Sequence, residues 1–318
     1  MKFLIMAFLA FGLIQFPAPA EAGPKSRSHA KKVKAKYSAK VQPRAYRKAK
    51  SAPVRVTEPD TDASGDPAVR SSAVLVIDQS EGRTIFGKNT SAVQPIASIT
   101  KLMTAMVVLD AKVDLHDAVM IDENDVDNLK HTRSRLGFGT VLTRDDLLRL
   151  ALMASENRAA SALGRTAYPG GLPAFVNAMN QKAVELGMHN TRFVDSTGLS
   201  SENVSTAEDL AKMVTAAYNY PLIKQYTTLT EHAVRSPHGR LLRYGNSNGL
   251  IKSDQWHISV SKTGYISEAG RCLVMLAEIA AKPMVIVLLD SWGKQTRIGD
   301  ANRIKKWIES SVVRPTGG

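Results

Sequence analysis

Apolar residues run from Phe3 to about Phe16, nearly vanish until position 68, and then recur in blocks to the end of the chain. The first block follows Met1-Lys2 and leads to Ala20-Glu21-Ala22-Gly23. A basic start, a short apolar core and a small-x-small site predict a secretory signal peptide over 1–22, cut after Ala22. The apolar core is short of the ~20 residues that span a bilayer. Residues 23–68 carry almost no large apolar side chain, cannot bury a core and are expected to be a disordered basic tail or linker. From 69 to 312 the pattern is that of a folded domain, with 313–318 left as a C-terminal tail.

Within that domain the period changes along the chain. Residues 73–78 (Ala-Val-Leu-Val-Ile-Asp) read as a strand, 79–82 as a turn and 84–86 as a return strand. Leu, Met, Ala and Val after Pro95 predict a helix to about Leu109. The polar stretch that follows holds a short strand near 119–121. Thr143-Arg144-Asp145-Asp146 predicts a capping box, with Asp in place of Glu, that opens a helix over 147–153. Helical spacing resumes at 158–163, runs again over 172–186 before Gly187, and follows the cap Ser205-Thr206-Ala207-Glu208 through Tyr218. Residues 221–257 read as irregular. Three strands, 257–261, 271–279 and 284–290, precede a closing helix over 296–310. Strands at both ends around a helical middle predict an α/β (α+β) fold. One antiparallel sheet is assembled from the two ends of the chain, covered by helices and facing a helical lobe.

Charge sharpens the division. The 318 residues include 42 Lys and Arg against 29 Asp and Glu, a net of +13. Twelve of the basic residues and no acidic one lie between Gly23 and Thr57, so the remainder is nearly neutral, with 30 basic residues against 29 acidic. The high pI belongs to the tail. With only Tyr37 and Tyr46 between its charges and export expected, nucleic acid is a poor partner for it. Attraction to an anionic membrane or wall surface and a plain solvated linker remain the two readings. Cys272 is the single cysteine, which excludes an internal disulfide framework.

The candidate chemistry begins at Pro95-Ile96-Ala97-Ser98-Ile99-Thr100-Lys101. On a helix Ser98 and Lys101, three apart, are neighbours on one face. A serine hydroxyl needs a base to become a nucleophile, and a lysine held neutral can serve. Near a helix start, free backbone N–H groups add a positive field. Ser-x-x-Lys also occurs at Ser28, Ser259 and Ser291, so the spacing alone is weak. Only the copy at Ser98 opens an apolar helix after a proline. Two further stretches raise its specificity. Ser155-Glu156-Asn157 lies between helical runs, where a tight turn can aim a hydroxyl and an amide into a cleft. The repeat of that tripeptide at Ser201-Glu202-Asn203 precedes a helix cap and is taken as structural. Lys262-Thr263-Gly264 falls at the end of a strand, where Lys and Thr can face a cleft and Gly permits close backbone approach.

Ser-x-x-Lys, Ser-x-Asn and Lys-Thr-Gly in this order resemble the set shared by penicillin-binding proteins and class A β-lactamases. The segments around them (Pro95 to Asp110, Leu150 to Ala160, Ser261 to Tyr265), with Asn190 to Val194, Thr197-Gly198-Leu199 and Ser205 to Ala207, are similar to D-alanyl-D-alanine endopeptidases of the penicillin-binding protein 7 type. The resemblance covers about 72–312 and leaves the tail outside. It implies a penicillin-binding-protein/β-lactamase-like fold and a serine D,D-peptidase that forms an acyl-enzyme. By that resemblance Ser98 is the nucleophile, Lys101 its base, and Ser155 a proton relay to the leaving amine. Asn157 orients Lys101 and the substrate, Lys262, Thr263 and Gly264 bind the carboxylate side, and the backbone N–H groups of Ser98 and Tyr265 form the oxyanion hole. Lys101 must lose its proton near neutral pH, and a second cation at Lys262 together with partial burial is expected to lower its pKa. Glu156 is given no role.

The seven histidines show neither His-Glu-x-x-His nor His-x-His spacing, so no metal and no cofactor is expected. The expected substrate is the peptidoglycan stem peptide, with β-lactams as covalent inhibitors and a periplasmic location. The polar loops at 132–140 and 244–249 are expected to rim the cleft. Three alternatives remain: a D-alanyl-D-alanine carboxypeptidase with the same site, a β-lactamase, and a non-catalytic wall-binding protein. The first commonly carries a further β-rich domain and an anchor after the catalytic domain, for which this sequence leaves no room. The second needs a deacylating carboxylate that cannot be assigned, and intact motifs argue against the third.

Overall fold

In the computed structural model described here, covering residues 60–293 and 295–313, the chain opens with β1 (Ser71–Asp78), β2 (Arg83–Lys88) and the two-residue β3 (Gln94–Pro95). A 3-10 turn, Ala97–Ile99, leads into α1 (Thr100–Asp110). The helical part follows: β4 (Ala118–Met120), β5 (Val141–Thr143), α2 (Arg144–Met153), α3 (Asn157–Thr166), α4 (Gly171–Glu185), β6 (Val204–Ser205), α5 (Ala207–Ala217) and α6 (Pro221–Thr228). Then come the hairpin β7 (Glu231–Arg235) and β8 (Leu241–Gly245), the long strands β9 (His257–Ile266), β10 (Gly270–Ile279) and β11 (Lys282–Ser291), and α7 (Thr296–Val313). The signal peptide and most of the expected tail lie outside the described residues.

The five-stranded sheet has the order β2-β1-β11-β10-β9, all antiparallel. The two ends of the chain meet in its middle, with Leu75 opposite Val287. Period two explains the unbroken apolar runs. Ala73 and Leu75 point to the core shared with α1 and α5, while Val74 and Val76 point to the core under α7. A sheet covered on both faces needs apolar residues at every position. Helix α1 is likewise buried from Thr100 to Val108, so it is the central post of the helical lobe rather than a surface helix.

Three expectations change. Residues 221–257 are not irregular: Pro221 opens α6, and β7 and β8 form a hairpin closed by Ser236 and Gly239. The alternation in Leu241 to Gly245, with Leu242 and Tyr244 buried, was the available signal. Residues 60–68, expected in the linker, form a turn bridged at Thr61 and Pro67, and the Trp307 indole N–H donates to Gly65 O at 2.9 Å. The folded region therefore includes Asp60. At α2, Thr143 Oγ1 accepts from Asp146 N at 3.1 Å, but the reciprocal half of the box is not formed. The Asp146 carboxylate pairs with His232 Nε2 instead, at 2.7 Å.

Candidate active site

Ser98 sits in the 3-10 turn, two residues before the start of α1, and Lys101 is on the first turn of that helix. Ala97, just before the serine, is held at φ +48°. Such left-handed backbone costs roughly 1–2 kcal/mol for a non-glycine residue. Gly198 covers this turn so closely that a Cβ on it would lie 2.0 Å from Ala97 O, and its φ is +78°. The loop carrying Gly198 is wound on the Asp195 carboxylate, which accepts from Thr197 N, Gly198 N and Ser200 N at 2.6 to 2.9 Å.

Lys101 is completely buried, with its Nζ 2.8 Å from Ser98 Oγ, 2.8 Å from Asn157 Oδ1 and 2.7 Å from Thr197 O. Burial pushes its ammonium down to about 7, against the attraction of the Asp195 and Glu156 carboxylates. Of the two expected causes, burial is the one that acts, and the Lys262 cation is not among the causes. A neutral amine has two N–H donors and one lone pair. As the ammonium, Lys101 donates to Ser98 Oγ as well; once it is neutral, the Asn157 and Thr197 oxygens can take both donors, and the lone pair is then left for the Ser98 hydroxyl. Such an arrangement allows a serine to act as nucleophile with the lysine as its base.

The turn between α2 and α3 presents Ser155 and Asn157, with Ser155 held at φ +60°. Its hydroxyl accepts from Lys262 Nζ at 2.8 Å, and Lys262 also donates to Thr263 O at 2.8 Å. Burial, then the Lys101 and Arg297 cations, hold Lys262 well below the ordinary lysine range. Lys262, Thr263 and Gly264 lie inside β9 rather than at its end, and β9 is the edge strand of the sheet. A Cβ on Gly264 would come 3.0 Å from Ile96 O and 3.1 Å from Ser98 N. The bare backbone lets the sheet edge close on the nucleophile turn, which brings Ser98 beside the residue preceding Tyr265. The Tyr265 side chain is exposed.

The chain belongs to the D-alanyl-D-alanine carboxypeptidase family of serine D,D-peptidases. The model of that family matches residues 60–293. D-alanyl-D-alanine endopeptidases are close relatives within this family. That of Pseudomonas aeruginosa is 47% identical over 244 residues, 76% of this chain and 78% of its own. That of Escherichia coli is 45% identical over 263 residues, 82% of this chain and 84% of its own. Among solved structures, the Streptomyces K15 DD-transpeptidase superposes with a TM-score of 0.70 at 26% identity, covering 76% of this chain and 97% of that one. The fold is thus that of the penicillin-binding D,D-peptidases.

Hydrogen bonds join Ser98, Lys101 and Asn157 in one set and Ser155, Lys262 and Thr263 O in another, and Gly264, the residue before Tyr265, packs on Ser98 N. The repeat at Ser201-Glu202-Asn203 is structural: buried Asn203 donates to Thr100 Oγ1 and Asp195 O and accepts from Val194 N. Of the other Ser-x-x-Lys copies, Ser259 and Lys262 lie on β9, while Lys31 and Lys294 are outside the described residues. Both rim loops reach the site, since Thr132 Oγ1 accepts from Asn157 Nδ2 at 3.0 Å and Ser247 Oγ is 2.8 Å from Thr263 Oγ1. A cavity of about 180 Å³ borders Asn157 and Thr197, whereas another, of about 730 Å³, lies beside Leu75 and Ala211. Sequence reasoning missed Arg297, whose guanidinium reaches Gly264 O at 3.3 Å from α7. An arginine on a helix with no motif around it gives no local signal.

Proposed function

We propose that this protein is a serine D,D-endopeptidase of the bacterial cell wall that hydrolyses D-Ala–diaminopimelate cross-links through an acyl-enzyme on Ser98. The observation that carries this reading is the buried Lys101 amine, pushed down to about 7 and 2.8 Å from the Ser98 hydroxyl. Ser98 Oγ attacks the D-Ala carbonyl carbon as its proton passes to Lys101 Nζ. The carbonyl oxygen becomes an oxyanion between the backbone N–H groups of Ser98 and Tyr265, each donor worth roughly 3–4 kcal/mol in such sites. Collapse breaks the C–N bond, and Ser155, held by Lys262, delivers its proton to the departing amine and is reprotonated by Lys101, which returns to the neutral amine. Asn157 keeps Lys101 and the acyl chain in place. Lys262 and Thr263, with Gly264 giving close approach, take the carboxylate of the leaving half. Water then attacks the ester carbon as its proton passes to Lys101 Nζ, and the ester C–O bond breaks as Lys101 returns that proton to Ser98 Oγ, releasing the acyl peptide. A β-lactam enters by the same first step and stays as the ester.

The relatives at 45 and 47% identity, both endopeptidases, support a cross-link as the bond cut. A carboxypeptidase reading has the family description and a 30%-identical Bacillus subtilis relative in its favour. Purified cross-linked muropeptide dimers separate the two. The endopeptidase reading expects conversion of dimers to monomers, with much slower release of D-Ala from monomeric pentapeptide. Rapid D-Ala release with dimers left intact overturns it and leaves the Ser98 mechanism standing. Export to the periplasm and attraction of the basic residues between 23 and 57 to anionic wall or membrane surface complete the proposal. They rest on the signal-like start and the charge count.

A further inference from the structure

Beyond the residues that meet the substrate, the turn at 127–132 is built around one carboxylate. Asp127 accepts from Leu129 N at 2.9 Å, Lys130 N at 2.8 Å, Thr132 N at 2.9 Å and Thr132 Oγ1 at 2.7 Å. Burial raises its pKa, but these hydrogen bonds outweigh burial and hold the carboxyl below its usual range. An ionised carboxylate only accepts, so the Thr132 hydroxyl proton is committed to Asp127. What Thr132 has left is a lone pair, and Asn157 Nδ2 donates to it at 3.0 Å. The Asn157 amide is thereby polarised in one sense: N–H groups toward the turn and Oδ1 toward Lys101 Nζ, at 2.8 Å.

That sense matters to the base. With the amide rotated by half a turn, an N–H of Asn157 faces Lys101, and a neutral amine answers a donor with its lone pair. The same lone pair has to receive the Ser98 proton, 2.8 Å away. A rotated amide therefore occupies the base instead of supporting it. The same turn is also tied to the opposite wall of the cleft, because Lys130 pairs with Glu268 in the turn between β9 and β10. An exposed pair of this kind contributes little energy by itself but limits where the turn can sit.

We propose that Asp127 and Thr132 are positioning residues of this peptidase, which lock the Asn157 amide so that the Lys101 lone pair stays available to Ser98. The inference rests on the acyl-enzyme reading of Ser98. It assigns a role to two residues that carry no family motif and touch no reacting atom.

The test is the second-order rate of acylation by a labelled penicillin, with thermal midpoints measured beside it. Thr132→Val keeps the shape and removes the hydroxyl, and acylation should slow about tenfold, the scale of one lost hydrogen bond. Thr132→Ala takes its place if the valine variant does not fold. Thr132→Ser, which retains the hydroxyl, should acylate within about twofold of the parent. In an Asn157→Ala background there is no amide left to orient, so Thr132→Val should slow acylation no further. A Thr132→Val protein acylated at the parent rate, or equally slowed with and without Asn157, overturns the proposal. Both outcomes leave Ser98 labelled in the parent, whereas an unlabelled parent overturns the acyl-enzyme reading and this inference with it.

Discussion

Gly264 packs against Ser98 so that a Cβ on the glycine would sit 3.1 Å from the Ser98 nitrogen. The contact joins the edge strand β9 to the turn that carries the nucleophile, two elements far apart in the chain. It makes the width of the catalytic cleft depend on the absence of one carbon. Gly264→Ala should push β9 outward by a few tenths of an ångström and misalign the two proposed oxyanion donors. Penicillin acylation is expected to fall by roughly tenfold or more, since small misplacements of reacting groups are costly. The thermal midpoint should change little. Stopped-flow acylation and a melting curve on the same sample check both halves.

Ser98→Ala should abolish covalent penicillin labelling without unfolding the protein. Ser98 is the cap of neither the 3-10 turn nor α1, and loss of its hydroxyl removes a contact to Lys101. A cost of about 1 kcal/mol is expected. Intact-protein mass after incubation with penicillin reads the first effect, and thermal denaturation the second. A mass shift in the mutant would place the nucleophile elsewhere.

The Lys101 amine, at about 7, sets the direction of the pH dependence. Below that value the ammonium holds its proton and cannot take another from Ser98; above it the free amine can. Acylation should therefore rise with pH through an apparent pKa near 7 and level off on the alkaline side. Lys101→Ala should lose about 10²- to 10⁴-fold in rate, the usual contribution of a positioned base. An acylation rate that is flat from pH 5 to 9 would contradict a lysine base.

Gly198→Ala should be the most damaging small substitution near the site. Its φ of +78° disfavours any side chain, and the new Cβ would lie 2.0 Å from Ala97 O. Strain of about 1–3 kcal/mol from the backbone alone is expected, with the clash added to it. Calorimetric melting checks the stability, and residual labelling of Ser98 reports whether the nucleophile turn survives.

Deleting residues 23–59 should leave the melting temperature and turnover of small soluble substrates unchanged while weakening salt-sensitive binding to sacculi or anionic vesicles. Extending the deletion to residue 68 should lower the melting temperature, because it removes the turn that accepts from Trp307. Equal, salt-insensitive binding with and without the tail would return it to the role of a linker.

Local pattern carried a large part of this protein. The runs in β1, β10 and β11 and the helix after Pro95 were legible because burial on both faces demands unbroken apolar sequence. Capping chemistry placed the start of α2 at Thr143 and that of α5 within Ser205 to Glu208, where the structure makes Thr206 the cap. The three motifs were legible because the chemistry admits few residue types at those spacings. The β7–β8 hairpin escaped notice because its alternation covers only five residues per strand and flanks a turn rich in polar groups. By itself, then, the sequence determined which side chains could act as nucleophile, base and relay, and that the two ends of the chain pair in one sheet. Only the tertiary structure decided that the Lys101 pKa is pushed down to about 7, since that depends on burial by segments remote in sequence. It also decided that Asn157 answers to Thr132 and that Arg297 stands behind Gly264. A hydrogen bond or a desolvated charge is a property of distance in space, and residue spacing along the chain carries no record of it.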